Sequence, residues 1–219
     1  MRGTITLLFL LFGLSVSLAA QTDEQTSPSE KNPKAMALIK QALLLEEAML
    51  LPSAVTKYEE VLKLEPTDFA AMNSIAGLYG KMEMPEKEVL WAKKAIDTNP
   101  KYFQAFINQG NGLAMQGKFE EAITSFQSAA KLAPNSPLPI YSQGVVAENQ
   151  RKFTEALTLY LKSVEIDPKF EDGLFSAAAM HANLKQFNEA KVLLKRLLEI
   201  DPKADDAREM LRRIESEKP

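Results

Sequence analysis

The chain has 219 residues, 46% of them hydrophobic, a formal net charge of −3 and no cysteine. That is enough apolar material for a folded body, while the missing cysteine excludes structural disulfides, thiol catalysis and thiolate metal sites. The mildly acidic balance argues against nucleic-acid binding, which needs a basic face, and the single histidine, His181, rules out a zinc site built from His and Cys.

Residues 1–20 read as an export signal. Arg2 is the positive end, residues 5–14 form an apolar core, and Ser17 and Ala19 are small residues of the kind a signal peptidase reads, which places cleavage after Ala19 or Ala20. The alternative is an uncleaved membrane anchor, because the uncharged run 3–22 is just long enough to span a bilayer. In both cases Arg2 before the run and Asp23 and Glu24 after it favour delivery of the remainder across the membrane. The expected location is therefore periplasmic or secreted, or membrane-anchored and facing away from the cytoplasm. No cysteine follows the apolar run, so attachment as a bacterial lipoprotein is excluded. Residues 21–34 have no apolar side chain large enough to pack and read as a flexible tether.

From there one spacing organises the chain. Pro66, Pro100, Pro134, Pro168 and Pro202 each follow the one before by 34 residues. Proline lacks an N–H and disfavours helix in the residue before it, so each one ends a helix. The period divides the chain into units 35–68, 69–102, 103–136, 137–170 and 171–204. Their columns agree: the fourth residue is large and apolar (Leu38, Met72, Phe106, Ile140, Leu174) and the eighth is small (Ala42, Ala76, Gly110, Gly144, Ala178). The twentieth is alanine except at Glu88, and the twenty-fourth is bulky except at Ala92. Apolar residues recur at helical spacing in two runs per unit, which predicts five stacked helical hairpins.

In chain order, Pro52 suits the first turn of the second helix of unit one. In unit two, Pro85 and Glu88 break the pattern, and the helices there are expected to splay or rotate. Trp91, in the same helix, reads either as packing for a looser hairpin or as an exposed anchor for a partner. Unit three turns at Gly117. Before unit four, Ser136 reads as a helix cap and Pro137 as the first helical residue. Asp167 and Asp201 read as helix-end residues, and His181 as a packed inter-helix residue. Residues 205–219 continue as a capping helix and tail, with Ala207, Met210, Leu211 and Ile214 on one apolar stripe.

Unit three, with Phe106, Gly110, Leu113, Gly117, Phe119, Ala122, Phe126, Ala129 and Pro134, resembles the tetratricopeptide repeat. The resemblance covers residues 35–204. It implies an all-α, right-handed α-solenoid whose first helices line a concave face, with the second, fifth, ninth, twelfth and thirteenth columns facing the groove and the sixth at its margin. On those columns Ile107, Tyr141, Val145 and Phe175 would form an apolar stripe. Asn73, Asn108, Asn111, Asn149 and Asn183 would stand beside it as neutral donors and acceptors for a peptide backbone. The opposing reading has the aromatic rings leaning into inter-repeat packing. Some members of the family clamp a carboxylate with basic residues on the first helices; here the second, fifth and ninth columns have none.

There is no glycine-rich phosphate loop, nucleophile elbow or HExxH helix. The expectation is a non-catalytic scaffold with no cofactor and no metal, which binds a protein or peptide in its groove outside the cytoplasm. Its setting would be assembly of an envelope, secretion or pilus complex. The alternative is a membrane-anchored spacer or an accessory subunit of an enzyme complex, with a membrane involved only if the leader is uncleaved.

Overall fold

The computed structural model describes residues 32–216. The expected export signal, the tether up to residue 31 and residues 217–219 lie outside the described residues. Within them there are eleven α-helices and no strand. The order is α1 (Pro33–Glu47), α2 (Leu51–Leu64), α3 (Phe69–Lys81), α4 (Pro85–Thr98), α5 (Phe103–Met115), α6 (Phe119–Leu132), α7 (Leu138–Asn149), α8 (Phe153–Ile166), α9 (Glu171–Asn183), α10 (Phe187–Ile200) and α11 (Asp205–Ser216). Consecutive helices pack in pairs, and each pair stacks on the next, so the fold is an α-solenoid with only near-neighbour contacts. Pro33 and Lys34, expected at the end of the tether, already belong to α1, whose first turn is capped by Asn32 Oδ1 accepting from Lys34 N–H (2.9 Å).

Two kinds of turn alternate along the solenoid. Between pairs, the repeat proline follows the residue that ends the second helix. The backbone then closes with an i to i+3 hydrogen bond, as in Asp68 N–H to Glu65 O (3.1 Å) and Phe170 N–H to Asp167 O (3.0 Å). Proline fits the position after the first residue of such a turn because its φ is already fixed there. Asn99, Asp167 and Asp201 each accept the backbone N–H two residues on, so the two aspartates are indeed turn and helix-end groups. Within pairs, the first helix ends with one residue in the left-handed region: Met49, Glu83, Gly117, Arg151 and Lys185, with φ from 54° to 74°. The following N–H reaches back five residues, as in Lys118 N–H to Leu113 O (2.9 Å) and Lys152 N–H to Ala147 O (2.9 Å). All five hinges therefore carry the same C-terminal cap, although only one has the glycine that favours it.

The small eighth column is explained by what faces it. A Cβ added to Gly110 would lie 2.4 Å from Phe126, and one added to Gly144 would lie 2.7 Å from Tyr160. The bulky twenty-fourth residue thus lies directly against the eighth, and the helices approach closely because the latter has no side chain. Phe126 and Tyr160 are almost fully buried, as are Ala122 and Ala156 of the twentieth column. In the first and fourth repeats the ring carries a hydroxyl, and a glutamate in the twelfth column accepts from it: Tyr58 Oη to Glu46 Oε1 (3.0 Å) and Tyr160 Oη to Glu148 Oε2 (2.5 Å). Burial first, and then these carboxylates, push both phenols well above the ordinary tyrosine range.

Two expectations are corrected. The second repeat is not splayed: α3 and α4 pack as tightly as α5 and α6. Glu88 takes the alanine column without forcing the helices apart because Gly80, opposite it, leaves room for the carboxyl. The start of α7 also differs. Pro137 is the residue before the first helical one, its carbonyl accepting from Tyr141 N–H (3.0 Å), and Ser136 does not cap the helix. Proline at the second helical position, Pro139, sets the start instead.

At the C-terminal end α11 lays Ala207 and Ile214 into the core of the fifth repeat, with Met210 and Leu211 partly buried beside them. Trp91 is half-buried, packed against apolar clusters of the first three repeats, with Lys94 Nζ 3.7 Å above its ring. It is a packing residue rather than a free anchor. His181 is half-buried at the last hinge, where its Nδ1 lies 2.7 Å from Gln186 Oε1.

Candidate protein-binding groove

The first helices of the repeats lie side by side on one face. Direct contact of α3 with α5 and of α5 with α7, across the intervening second helices, shows this. The face is helical throughout, so its backbone groups are already bonded and only side chains are available to a partner.

Side chains of the fifth and sixth columns bind neighbouring repeats together. Asn108 Nδ2 donates to Asn73 Oδ1 (2.9 Å) and to Asn73 O (3.3 Å). Two repeats further on, the same columns place Tyr141 Oη 3.2 Å from Ser176 Oγ. Tyr141 is 8% exposed, with its ring 5.2 Å from those of Tyr160 and Phe170, edge-on to the latter. Burial pushes its phenol up to about 12, partly offset by the contact with Ser176. Asn73 is 4% exposed.

The expected site therefore divides. Tyr141, Asn73 and Asn108 are spent on joining repeats, and this corrects the reading of Tyr141 as a groove anchor and of the two asparagines as free backbone readers. The physical reason is that the fifth column of one repeat faces the sixth column of the next, so a polar side chain there finds a hydrogen-bonding partner 35 residues on. Ile107, Val145 and Phe175 are half-buried, each resting on the core of its own repeat with part of its surface open. Asn111 is half-buried, and Asn149 and Asn183 are exposed. These six remain available together.

The N-terminal end of the same face, absent from the expected site, is also open. Met36 and Leu43, in the second and ninth columns of the first repeat, are 57% and 50% exposed, with half-buried Ile39 between them. The signal is in the sequence as a methionine and a leucine at groove columns, but it lies outside the third to fifth repeats on which the apolar stripe is drawn. The accessible face is thus apolar at α1 and mixed apolar and amide from α5 to α9. Lys81 on α3 is held by Glu46 (3.4 Å). Among the described residues no cluster of three or more His, Cys, Asp or Glu is placed to hold a metal, and no helix is long and apolar enough to cross a membrane.

Residues 103–136 and 172–204 match the profile described as tetratricopeptide repeat. The first match coincides with the α5–α6 period and the second with α9–α10. Over 84 residues the chain is 26% identical to the STIP1 homologue of Dictyostelium discoideum, covering 38% of this chain but only 15% of the length of that relative. Among solved structures, TTC0263, a thermophilic TPR protein of Thermus thermophilus, superposes with a TM-score of 0.72 at 16% identity, covering 82% of this chain and 98% of that one. YrrB, described as a TPR protein with an unusual peptide-binding site, superposes at 0.52 with 22% identity, covering 84% of this chain and 94% of that one.

Proposed function

As a member of the tetratricopeptide-repeat family, the protein works, we propose, as a non-catalytic scaffold outside the cytoplasm that holds a peptide or protein segment on the face of its first helices. The observation that carries this reading is the composition of that face. Half-buried Ile107, Val145 and Phe175 offer fixed apolar ledges, and Asn111, Asn149 and Asn183 stand beside them with amides that neither repel nor require charge. Met36 and Leu43 extend the apolar surface at α1. Such a face suits a segment with a few apolar anchors and a backbone open to hydrogen bonding.

Export is the second half of the proposal. It rests on the charge and small-residue pattern of residues 1–20. The peptide-binding site ascribed to YrrB supports the class of ligand. A structure of pilF from Pseudomonas aeruginosa shares the fold, with a TM-score of 0.66 at 16% identity, covering 84% of this chain and 90% of that one; the setting in a pilus, secretion or envelope complex rests on the export pattern alone. A membrane-anchored spacer would use the same solenoid and leave this face empty.

A peptide-display selection on the purified full chain tests the reading. The wild type is expected to enrich segments with two or more apolar residues. The triple change Leu43→Glu, Asn149→Ala, Asn183→Ala should abolish that enrichment while leaving the melting midpoint nearly unchanged, because all three side chains are solvent-facing. No enrichment by the wild type, or equal enrichment by the variant, would leave the spacer reading in its place.

A further inference from the structure

We propose that Glu88 is a pH-operated latch between the second and third repeats: protonated, its side chain fills a recess between α3 and α5, and ionised, it is driven out and loosens α4 from α5.

The geometry begins with an exchange of volume. In the other repeats the twentieth column is alanine. The tenth column of the repeat stacked above an alanine is a large buried residue: Leu78 above Ala54, Val146 above Ala122, Met180 above Ala156. Above Glu88 the tenth column is Gly112. A Cβ added to Gly112 would lie 3.2 Å from Glu88 Oε2, 2.8 Å from Val89 Cγ2 and 3.0 Å from the Pro85 carbonyl oxygen. A Cβ added to Gly80 on α3 would lie 2.7 Å from Glu88 Oε1. The carboxyl therefore sits in a pocket made by two glycines, one on each flanking helix.

That pocket has no counter-group. Glu88 is 2% exposed, and its Oε2 is buried without a hydrogen-bond partner. In the first and fourth repeats a half-buried glutamate on the paired helix accepts from a tyrosine, but in the second repeat Ala92 stands in the tyrosine column and donates nothing. The titratable groups on the flanking helices are engaged or absent. On α3, Lys81 pairs with Glu46, and Tyr79 lies under Lys87, 5.0 Å from its ring centre. On α5 there is no charged residue at all. On α4 itself the near charges are Glu86 and Lys87, and Glu83 lies in the hinge. A buried carboxylate without cation or donor is unfavourable, and the neutral acid is the form that fits. Burial accordingly pushes the carboxyl from its ordinary 4.5 up to about 8.

The sign follows from linkage. A carboxyl whose folded-state value is raised favours the folded form while protonated. Its contribution is whole below the ordinary carboxylate range, declines as pH rises, and is exhausted once pH has passed the folded-state value of about 8. Loss of stability therefore accumulates between 4.5 and about 8 on the pH scale. The conformational change within the folded protein is centred at the upper end of that window.

The chain carries its own reporter. Trp91 is the single tryptophan, three residues beyond Glu88 on the same helix. It packs on the cluster of Met72, Ala95 and Ala105, which draws on α3, α4 and α5. The test is Trp91 emission and the melting temperature of the full chain from about pH 5 to about pH 9.5, in wild type and in Glu88→Gln, which keeps the shape and cannot ionise. The expected result is a wild-type emission change with its midpoint at about pH 8 that is missing from the Gln variant. The wild-type melting temperature should also fall relative to the variant by several degrees up to that pH, then run parallel to it. Titration of Tyr79 is common to both proteins and cancels in the difference. Should Glu88→Gln fail to fold, Glu88→Ala, which restores the residue of every other repeat, replaces it with the same expectation. Identical emission profiles and a constant difference in melting temperature across the range would overturn the latch.

Discussion

The second and fourth repeats have the same backbone and fill it in opposite ways. In the fourth, Tyr160 reaches from α8 across Gly144, and Glu148 on α7 accepts its hydroxyl. In the second, the ring is gone: Ala92 occupies the tyrosine column, Gly80 replaces the glutamate, and a glutamate enters from the other helix at Glu88. Each arrangement places one carboxyl group between paired helices, but only the fourth repeat supplies it with a donor. The difference teaches that a repeat column fixes the volume available rather than the residue that fills it. Two columns can trade bulk as long as their sum still closes the gap between helices. Polar satisfaction is a separate requirement, and the second repeat meets only the first of the two.

The largest effect comes from removing the ring on which the fourth repeat depends. Tyr160→Ala should cost about 3–5 kcal/mol, from lost burial and the cavity left behind, read as a shift in the urea midpoint. If the loss is under about 1 kcal/mol, the fourth repeat closes as the second does and the contrast fails. A smaller effect separates the two glycines. Gly144→Ala drives a Cβ to 2.7 Å from the rigid ring of Tyr160 and should cost about 1–3 kcal/mol. Gly80→Ala meets only the end of the Glu88 side chain, which can turn aside, and should show the lesser shift in the same titration. The smallest effect tests what the repeats share. Arg151 holds the left-handed hinge position that glycine holds at Gly117. Arg151→Gly should raise stability by about 1 kcal/mol and Gly117→Ala should lower it by a similar amount, since a Cβ in that region carries a cost of this size. Opposite signs in thermal melts confirm the equivalence of the hinges, and equal signs deny it.

How much of this is readable differs from residue to residue. The proline period places the turns, because proline's missing N–H acts locally and needs no tertiary partner. Gly117 reveals one hinge, yet Met49, Glu83, Arg151 and Lys185 adopt the same left-handed conformation without the glycine that favours it. The packing of the second helix on the first imposes it. At the groove, column positions lead to Ile107, Val145, Phe175, Asn111, Asn149 and Asn183, whose side chains retain open surface. The same positions mislead at Tyr141, Asn73 and Asn108. A fifth-column side chain is taken up by the adjacent repeat if both it and the sixth-column residue facing it there are polar. That partner is 35 residues away in sequence, Ser176 for Tyr141 and Asn108 for Asn73.

The sequence by itself determined the all-α repeat and its five-fold copy number, because period, turn chemistry and apolar spacing are each written within one unit. The tertiary structure alone decided which polar groups find partners. It gave Tyr58 and Tyr160 their glutamates and joined Asn108 to Asn73. It left Glu88 buried between two glycines with one carboxyl oxygen unbonded. Those outcomes depend on which residue of one helix faces which residue of another, and a column pattern that averages over the repeats cannot carry that information.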